Sequence, residues 1–137
     1  MSRDAPLLTV EDILTYLRFI RTKRQEYFVC LSMDSEHVLI ARRTVTIGLL
    51  DTALVHPREI FAGPLKDHAA SIIIAHNHPS GTVSPSRQDA KATSQLVAAG
   101  ELLGIPVCDH VIVSKGDYFS FRQNGLLKNK TKFHISH

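Results

Sequence analysis

Short apolar runs with two different periodicities divide the chain into alternating helices and strands. Apolar positions three and four residues apart predict helices, whereas compact runs rich in valine, isoleucine and aromatic residues predict strands. The predicted helices cover 9–20, a segment beginning at residue 57, and 85 to about 103. The predicted strands cover 27–33, 37–41, 71–75, 105–113 and 118–121. This order indicates an α/β or α+β fold, with helices packed on a mixed sheet.

Residues that favour helix ends refine these predictions. The segment Thr9-Val-Glu-Asp12 has the pattern of a capping box, which opens the first helix. Ser84-Pro85 predicts an N-cap followed by proline in the first helical position of the third helix. Gly63-Pro64 predicts that the second helix is kinked or ends early.

The length and composition are those of a single globular domain. A chain of 137 residues can bury a core without disulfides, so Cys30 and Cys108 are predicted to be buried free thiols within strands. We expect a flexible leader at residues 1–7, one domain at 8–127 and a basic tail at 128–137. The apolar runs are too short for a membrane span and the N terminus lacks the apolar segment of a signal peptide. A cytoplasmic location is therefore expected.

The net positive charge is small and lies largely towards the two ends. The formal charge is +3 and the sequence pI is about 9.0. Arg21, Lys23 and Arg24 lie near the start, and Lys128 and Lys130 lie near the end. Basic ends of this kind either contact nucleic-acid phosphates weakly or are simply solvated.

Two histidines at the end of an apolar strand are the most informative chemical feature. His76 and His78 follow the run Ser71-Ile-Ile-Ile-Ala75. Side chains two residues apart in a strand share a face, so both rings can reach one point. Asp89 lies on the next predicted helix and can complete a three-ligand set for Zn²⁺, with a fourth position left to water. The alternative is a His-x-His pair on the surface that has no function.

The surrounding motifs resemble those of the JAMM metalloprotease superfamily, which is also called MPN or JAB. Its pattern of an upstream glutamate, His-x-His-Pro and Ser-x-x-Asp is matched by His76-Asn-His-Pro79 and Ser86-Arg-Gln-Asp89. Asn77 stands where eukaryotic deubiquitinating members usually carry serine or threonine, which favours the RadC-like branch. The segments similar to RadC signatures are His76-Asn-His-Pro-Ser-Gly81, His56-Pro-Arg-Glu59 and Asp109-His-Val-Ile-Val113.

The resemblance implies a fold, a cofactor and roles for particular residues. The implied fold is the three-layer, cytidine-deaminase-like JAMM fold, an α/β arrangement in which helices flank a mixed sheet. The implied cofactor is Zn²⁺ held by His76, His78 and Asp89. The family uses its upstream glutamate as the general base, and Glu26 matches that position at the start of a strand. Glu59, in the first turn of a helix, is the competing candidate.

Two further assignments stay open between a functional and a structural role. Ser86 resembles the family serine that donates a hydrogen bond to the developing oxyanion, but it could equally cap a helix. The pair Asp109-His110 could support a zinc ligand through a hydrogen bond, or could anchor a buried strand.

These features give one leading hypothesis and two alternatives. The leading hypothesis is a zinc-dependent metallohydrolase, a metallopeptidase or isopeptidase in which activated water attacks an amide carbonyl of a protein or peptide substrate. The first alternative is a DNA-repair-associated nucleic-acid-binding protein without hydrolase activity, for which the basic ends are the direct support. The second is a binding module whose metal site has decayed, and the intact ligand set argues against it.

Overall fold

The computed structural model describes residues 5–48 and 55–127, and within them it has four helices and five strands. The predicted tail at 128–137 and the first four residues of the predicted leader lie outside the described residues. The elements in chain order are α1 (Val10–Thr15), α2 (Arg18–Arg21), β1 (Glu26–Met33), β2 (Leu39–Gly48), α3 (Pro57–Lys66), β3 (Ser71–Asn77), α4 (Arg87–Leu103), β4 (Val107–Val113) and β5 (Tyr118–Ser120).

The five strands form one mixed sheet in the order β2-β1-β3-β4-β5. Strands β3 and β4 are parallel and every other neighbouring pair is antiparallel. The parallel pair requires a crossover, and α4 supplies it. As a result the carboxyl ends of β3 and β4 lie at the same edge of the sheet as the start of β1. Ligand sites in α/β proteins commonly form at such an edge.

Helices cover both faces of the sheet and so create two apolar cores, because successive side chains of a strand point to opposite faces. The core under α1 and α2 comprises Leu7, Ile13, Leu17, Ile20, Val29, Leu31, Met33, Ile73, Ala75, Cys108, Val111 and Val113. The core under α3 and α4 comprises Phe28, Cys30, Val55, Ile60, Phe61, Ala69, Ile72, Ile74, Leu96, Val97, Ile105 and Val107. The predicted α/β fold with helices flanking a mixed sheet is confirmed.

A bulge in β4 decides which side chains of that strand face α4. Ile72 pairs with Val107, but the next residue of β3 pairs with Asp109, so Cys108 is the extra residue. An extra residue reverses the alternation of side chains beyond it. His110 therefore lies on the same face as His76, although alternation counted from Val107 would place it on the opposite face.

Two predicted helices differ from the observed ones for local reasons. The first is split, because the backbone N–H groups of Tyr16 and Leu17 bond to carbonyls only three residues back, with N–O distances of 3.0 Å. This tighter turn still leaves Leu17 and Ile20 buried. In contrast, Pro64 neither ends nor interrupts α3, which continues to Lys66. The missing proline N–H removes one hydrogen bond near the end of the helix, and Pro64 itself is buried.

The predicted start of the third helix, at Ser84-Pro85, is wrong by two residues. Ser86 is the N-cap of α4, and its Oγ accepts the Asp89 N–H at 3.0 Å. Asp89 Oδ2 in turn accepts the Ser86 N–H at 2.9 Å. This reciprocal pair requires a carboxylate three residues after the cap, and Ser84 has Arg87 at that position. The capping box predicted at Thr9 and Asp12 is confirmed.

The five strands lie where they were predicted, but their bounds differ: β1, β2 and β3 extend beyond one predicted end, whereas β4 begins two residues later and β5 ends one residue earlier. Strand β3 continues through His76 to Asn77, and β2 runs to Gly48. The two cysteines, Cys30 and Cys108, are buried and free, as expected, and burial raises the pKa of each thiol to about 12. Among the helices of the described residues, none combines the length and the apolar character needed to cross a bilayer.

Candidate metal centre

Three potential metal ligands converge where β3 ends and α4 begins. His76 is the penultimate residue of β3, His78 follows the strand directly, and Asp89 lies in the first turn of α4. His76 and Asp89 are almost completely buried, with 1% and 3% of their surface exposed. One donor atom from each of the three side chains lies within 4.8 Å of the others. The three residues predicted as ligands are therefore brought together.

The distances among the donor atoms are short enough for them to share one cation. His76 Nε2 lies 3.0 Å from His78 Nε2. The Asp89 carboxylate spans the pair, with Oδ1 at 3.5 Å from His76 Nε2 and Oδ2 at 3.5 Å from His78 Nε2. Atoms bonded at about 2.1 Å to one small cation lie roughly 3 to 3.5 Å from one another.

A chain of buried hydrogen bonds fixes the orientation of His76. His76 Nδ1 lies 2.9 Å from His110 Nε2, and His110 Nδ1 lies 2.6 Å from the Thr93 hydroxyl. Thr93 donates its proton to the Asp89 carbonyl oxygen at 2.7 Å, so its oxygen is left to accept from His110 Nδ1–H. His110 Nε2 then accepts from His76 Nδ1–H. The lone pair of His76 Nε2 is consequently directed at the ligand cluster.

A loop carbonyl fixes the second histidine in the same tautomer. His78 Nδ1 lies 2.8 Å from the Thr82 carbonyl oxygen, which can only accept, so Nδ1 carries the proton. His78 Nε2 is then also a lone-pair donor. Two lone pairs that face each other at 3.0 Å repel unless a proton or a cation lies between them. With both ring protons used elsewhere, the donor set fits a metal ion.

A cavity of about 610 Å³ opens beside the three ligands. It is also lined by Glu26, at the start of β1, and by Ser86, at the start of α4. The negative charge of Glu26 acts on both imidazoles and favours their protonated forms. Glu59 is exposed in the first turn of α3 and lines a different cavity, beside Arg43. Of the two candidate bases, Glu26 is therefore the one that shares a cavity with the ligands.

The comparisons with known proteins agree with this geometry. The family described as the RadC-like JAB domain matches residues 7–126. The chain belongs to this family. Among curated proteins it is 42% identical over 109 residues to a UPF0758 protein of Methanosarcina mazei. The matched region covers 80% of this chain and 48% of the relative.

Two bacterial relatives give the same result. A UPF0758 protein of Clostridioides difficile is 41% identical over 112 residues, 82% of this chain and 48% of the relative. A UPF0758 protein of Bacillus mycoides is 43% identical over 116 residues, 84% of this chain and 52% of the relative. This RadC-like JAB domain thus spans about half the length of the curated relatives that it matches.

Electrostatics in the RadC-like JAB domain keep the buried ligands in the forms that bind metals. Burial lowers the pKa of His76, and burial lowers the pKa of His110 well below its ordinary value, so both rings are neutral near pH 7. Burial favours a protonated Asp89, but the adjacent imidazoles of His76 and His78 favour its charged form more strongly and lower the pKa of this carboxyl. Proximity to the Asp89 carboxylate raises the pKa of His78, which is only partly buried.

The asparagine between the two histidines holds the neighbouring segment in place. Asn77 is 1% exposed, and its Oδ1 accepts the Tyr27 N–H at 2.6 Å. Its Nδ2 donates to the carbonyl oxygens of Gln25 at 3.0 Å and Lys23 at 3.3 Å. All three bonds go to the stretch of backbone that carries Glu26. A serine or threonine hydroxyl has one donor hydrogen and a shorter reach, so it could not make the same set.

Sequence reasoning missed part of this site and left part of it open. Thr93 was not identified, although a residue four positions after Asp89 lies on the same face of a helix and could have been considered. The sequence did not decide whether His110 supports a zinc ligand or anchors a buried strand. In the structure its Nε2 contacts His76 Nδ1, the ring nitrogen of His76 that does not face the other ligands. The hydroxyl of Ser86 caps α4, as one of its two interpretations predicted.

Proposed function

We propose that this chain is a zinc-dependent metallohydrolase that cleaves an amide or isopeptide bond in a protein or peptide. The observation that carries the proposal is the convergence of His76, His78 and Asp89 beside a cavity that Glu26 also lines. Two imidazoles and one carboxylate form the ligand set of zinc hydrolases that keep a fourth position open. Membership of the RadC-like JAB domain family supports the same chemistry.

The spacing of the donor atoms is compatible with zinc, and their chemistry favours it. A tetrahedral ion with ligand bonds of about 2.05 Å places its ligand atoms about 3.3 Å apart. The two ring nitrogens lie 3.0 Å apart, and each lies 3.5 Å from a different oxygen of Asp89, so each of these distances is close to that value. Neutral imidazole nitrogen combined with one carboxylate suits zinc better than calcium or magnesium, which prefer oxygen ligands.

The roles of the protein groups follow from where they lie. Bound zinc would supply Lewis acidity, which makes water a nucleophile near neutral pH. Glu26 is the group that would take the proton of the attacking water and deliver it to the leaving nitrogen. It is partly buried and reaches the cavity from β1, across from the helix that carries Asp89.

Ser86 is suited to donating a hydrogen bond to the carbonyl oxygen of the substrate. Its Oγ already accepts the Asp89 N–H, which leaves its hydroxyl hydrogen to donate. Ser86 is exposed and lines the cavity. We assign it the stabilisation of the negative charge that develops on that oxygen, in addition to its cap. A donor in this position typically contributes about 3 kcal/mol to lowering the barrier.

The test separates metal binding from proton transfer. Protein purified without chelators is analysed for metal content and then assayed, as the zinc form, against peptide and isopeptide-linked substrates. We expect close to one zinc ion per chain. In Glu26→Gln the zinc content should be unchanged and the turnover should fall about 10²- to 10⁴-fold, because only the proton acceptor is removed. Asp89→Asn should lose the zinc itself.

The matched control is Glu59→Gln, which makes the same change on an exposed carboxylate in the other cavity. This variant should keep both zinc and turnover. Unchanged turnover in Glu26→Gln would eliminate that residue as the base. Purified protein that holds no zinc and cleaves none of the substrates would instead contradict the hydrolase proposal as a whole.

A further inference from the structure

A second cavity with a basic lining adjoins the cavity of the metal centre. Its volume is about 450 Å³. We refer to it as the basic cavity, and it is lined by Arg21, Thr22, Lys23, Arg24, Pro79, Gly81 and Lys115. Arg24 and Pro79 line the metal-centre cavity as well, so the two spaces are neighbours along one edge of the sheet.

Hydrogen bonds from side chains to backbone carbonyls bring together basic residues that are distant in the sequence. Arg21, at the end of α2, donates from Nε to the Ser114 carbonyl oxygen at 2.8 Å and from Nη2 to the Asp117 carbonyl oxygen at 3.1 Å. These bonds fasten the α2–β1 link to the β4–β5 turn, which carries Lys115. The hydrogen bonds of Asn77 hold the other end of the same link.

No acidic side chain is among the described residues that line the basic cavity, whereas four basic side chains are. Lys23 lies over the Tyr27 ring at 5.7 Å, a contact that leaves its charge in place. Several like charges around one concavity raise the local positive potential and attract an anion.

We propose that the basic cavity binds acidic side chains of a polypeptide substrate whose scissile amide lies in the metal-centre cavity. The inference rests on the proposed function, and it names the substrate class as proteins with glutamate or aspartate near the cleaved bond. The motivating observation is the shared wall of the two cavities, at Arg24 and Pro79. A chain that passes from one cavity to the other would place its carboxylates among four cations.

The lining favours a polypeptide over a nucleic acid. Sites for single-stranded nucleic acid pair a basic groove with aromatic side chains on which bases stack. The basic cavity has no aromatic residue in its lining as described, and its cations surround one concavity instead of following a line of phosphates. Nucleic acid is therefore the competing outcome of the test.

The test measures binding without any need for turnover. The probes are a fluorescein-labelled ten-residue peptide of alternating glycine and glutamate, the same peptide with glutamine, and a fluorescein-labelled oligothymidylate of ten nucleotides. Fluorescence anisotropy is recorded with the full chain at low and at high salt. We expect the glutamate peptide to bind most tightly of the three probes. Its affinity should fall as the salt concentration is raised, because the attraction is between exposed charges.

Paired substitutions locate the binding. Lys23→Gln combined with Lys115→Gln should weaken binding of the glutamate peptide about tenfold, which is what two exposed charge contacts can contribute. The matched control combines Arg58→Gln with Lys91→Gln, which removes the same charge from exposed residues that line neither cavity. The control pair should bind the peptide as the unchanged protein does.

Three binding results would each overturn the inference: equal binding of the glutamate and glutamine peptides, equal losses in the two double variants, or tighter binding of the oligothymidylate than of the glutamate peptide. Repeating the titration with Asp89→Asn keeps this question separate from the proposed function. Charge-dependent binding by a protein that cleaves nothing in any form would remove the hydrolase proposal alone. Hydrolysis that ignores substrate charge would remove the basic-cavity proposal alone.

Discussion

The two faces of the central sheet bury different kinds of residue where they approach the metal centre. Beneath α1 and α2, the buried cluster is apolar throughout, and its members on β3 are Ile73 and Ala75. On the other face, beneath α4, His76 of β3 contacts His110 of β4, and His110 contacts the Thr93 hydroxyl. Along β1 and β3 the first face is thus mainly apolar, whereas the other face has a series of hydrogen-bonded buried polar groups next to the ligands.

This difference teaches how the fold divides its tasks. Burying a polar group costs free energy unless it is hydrogen-bonded. From His76 Nδ1 through both His110 nitrogens and the Thr93 hydroxyl to the Asp89 carbonyl, each polar atom has a hydrogen-bond partner. The cost of burying these groups is therefore largely offset, and the His76 ring is held in one tautomer. We infer that the α1/α2 face contributes mainly stability and that the α4 face orients the ligands. Substitutions on the two faces should therefore have different consequences.

Ile73→Ala on the α1/α2 face should have the largest effect, and on stability alone. Ile73 is fully buried and lies between Leu31 and Asp109 on the neighbouring strands. Truncation leaves a cavity, and we expect the free energy of unfolding to fall by about 2–5 kcal/mol. Urea denaturation of the metal-free protein measures this loss. Zinc affinity, measured by chelator competition where the variant is still folded, should change less than about threefold. A larger change would show that the two faces are not independent.

His110→Leu on the α4 face should do the reverse. The substitution removes the acceptor for His76 Nδ1–H but keeps an apolar side chain beside the rings of Phe28 and Phe121. We expect zinc affinity to fall about 10- to 100-fold, as is usual when the partner of a ligating histidine is lost. The loss of stability in the metal-free protein should be smaller than in Ile73→Ala.

Two hydroxyl substitutions sharpen this second prediction. Thr93→Val removes the hydroxyl that accepts from His110 in this series of hydrogen bonds, and it should weaken zinc binding by a smaller factor than His110→Leu. Ser71→Ala is its control, because the Ser71 hydroxyl is buried and makes no hydrogen bond within the described part of the chain. Equal effects of the two substitutions on zinc affinity would show that the chain of hydrogen bonds does not orient His76.

On the α4 face, the sequence was sufficient to predict those features that depend only on residues close together in the chain. Two histidines separated by one residue in a strand must share a face, and Asp89 is carried by the helix that follows them. The strand and helix types followed from periodicity in the same way. Glu26 was recognised by its place at the start of a strand, a match that depended on the family resemblance and not on the chemistry of glutamate.

Features that depend on how strands pair were beyond reach of the sequence. The bulge at Cys108 turns His110 towards His76, and nothing in the apolar run of β4 marks it. The cap at Ser86 was left open, because Ser84-Pro85 offers a similar local pattern and only the reciprocal bond with Asp89 decides between them. The basic cavity likewise depends on a contact across the fold, between Arg21 and the β4–β5 turn.

Asn77 is a buried polar residue on the mainly apolar face, and it gives the smallest but most selective prediction. By alternation it shares its side of β3 with Ile73 and Ala75, yet it is bonded to the segment that carries Glu26. We expect Asn77→Ser to lower the free energy of unfolding by about 1 kcal/mol, because a hydroxyl replaces only part of the bonding. Zinc affinity should stay within about threefold. Turnover should fall about tenfold, since the base is less well positioned.

Asn124→Ser provides the comparison that decides what the loss of turnover means. The Asn124 amide donates to the Ser120 carbonyl oxygen at 2.8 Å, and Asn124 lines neither cavity. It should cost similar stability and leave both zinc affinity and turnover unchanged. If the two variants lose turnover equally, Asn77 acts through stability alone. If Asn77→Ser loses turnover while its zinc content and the activity of Asn124→Ser are maintained, an amide on the apolar face positions a group that acts on the other side of the sheet.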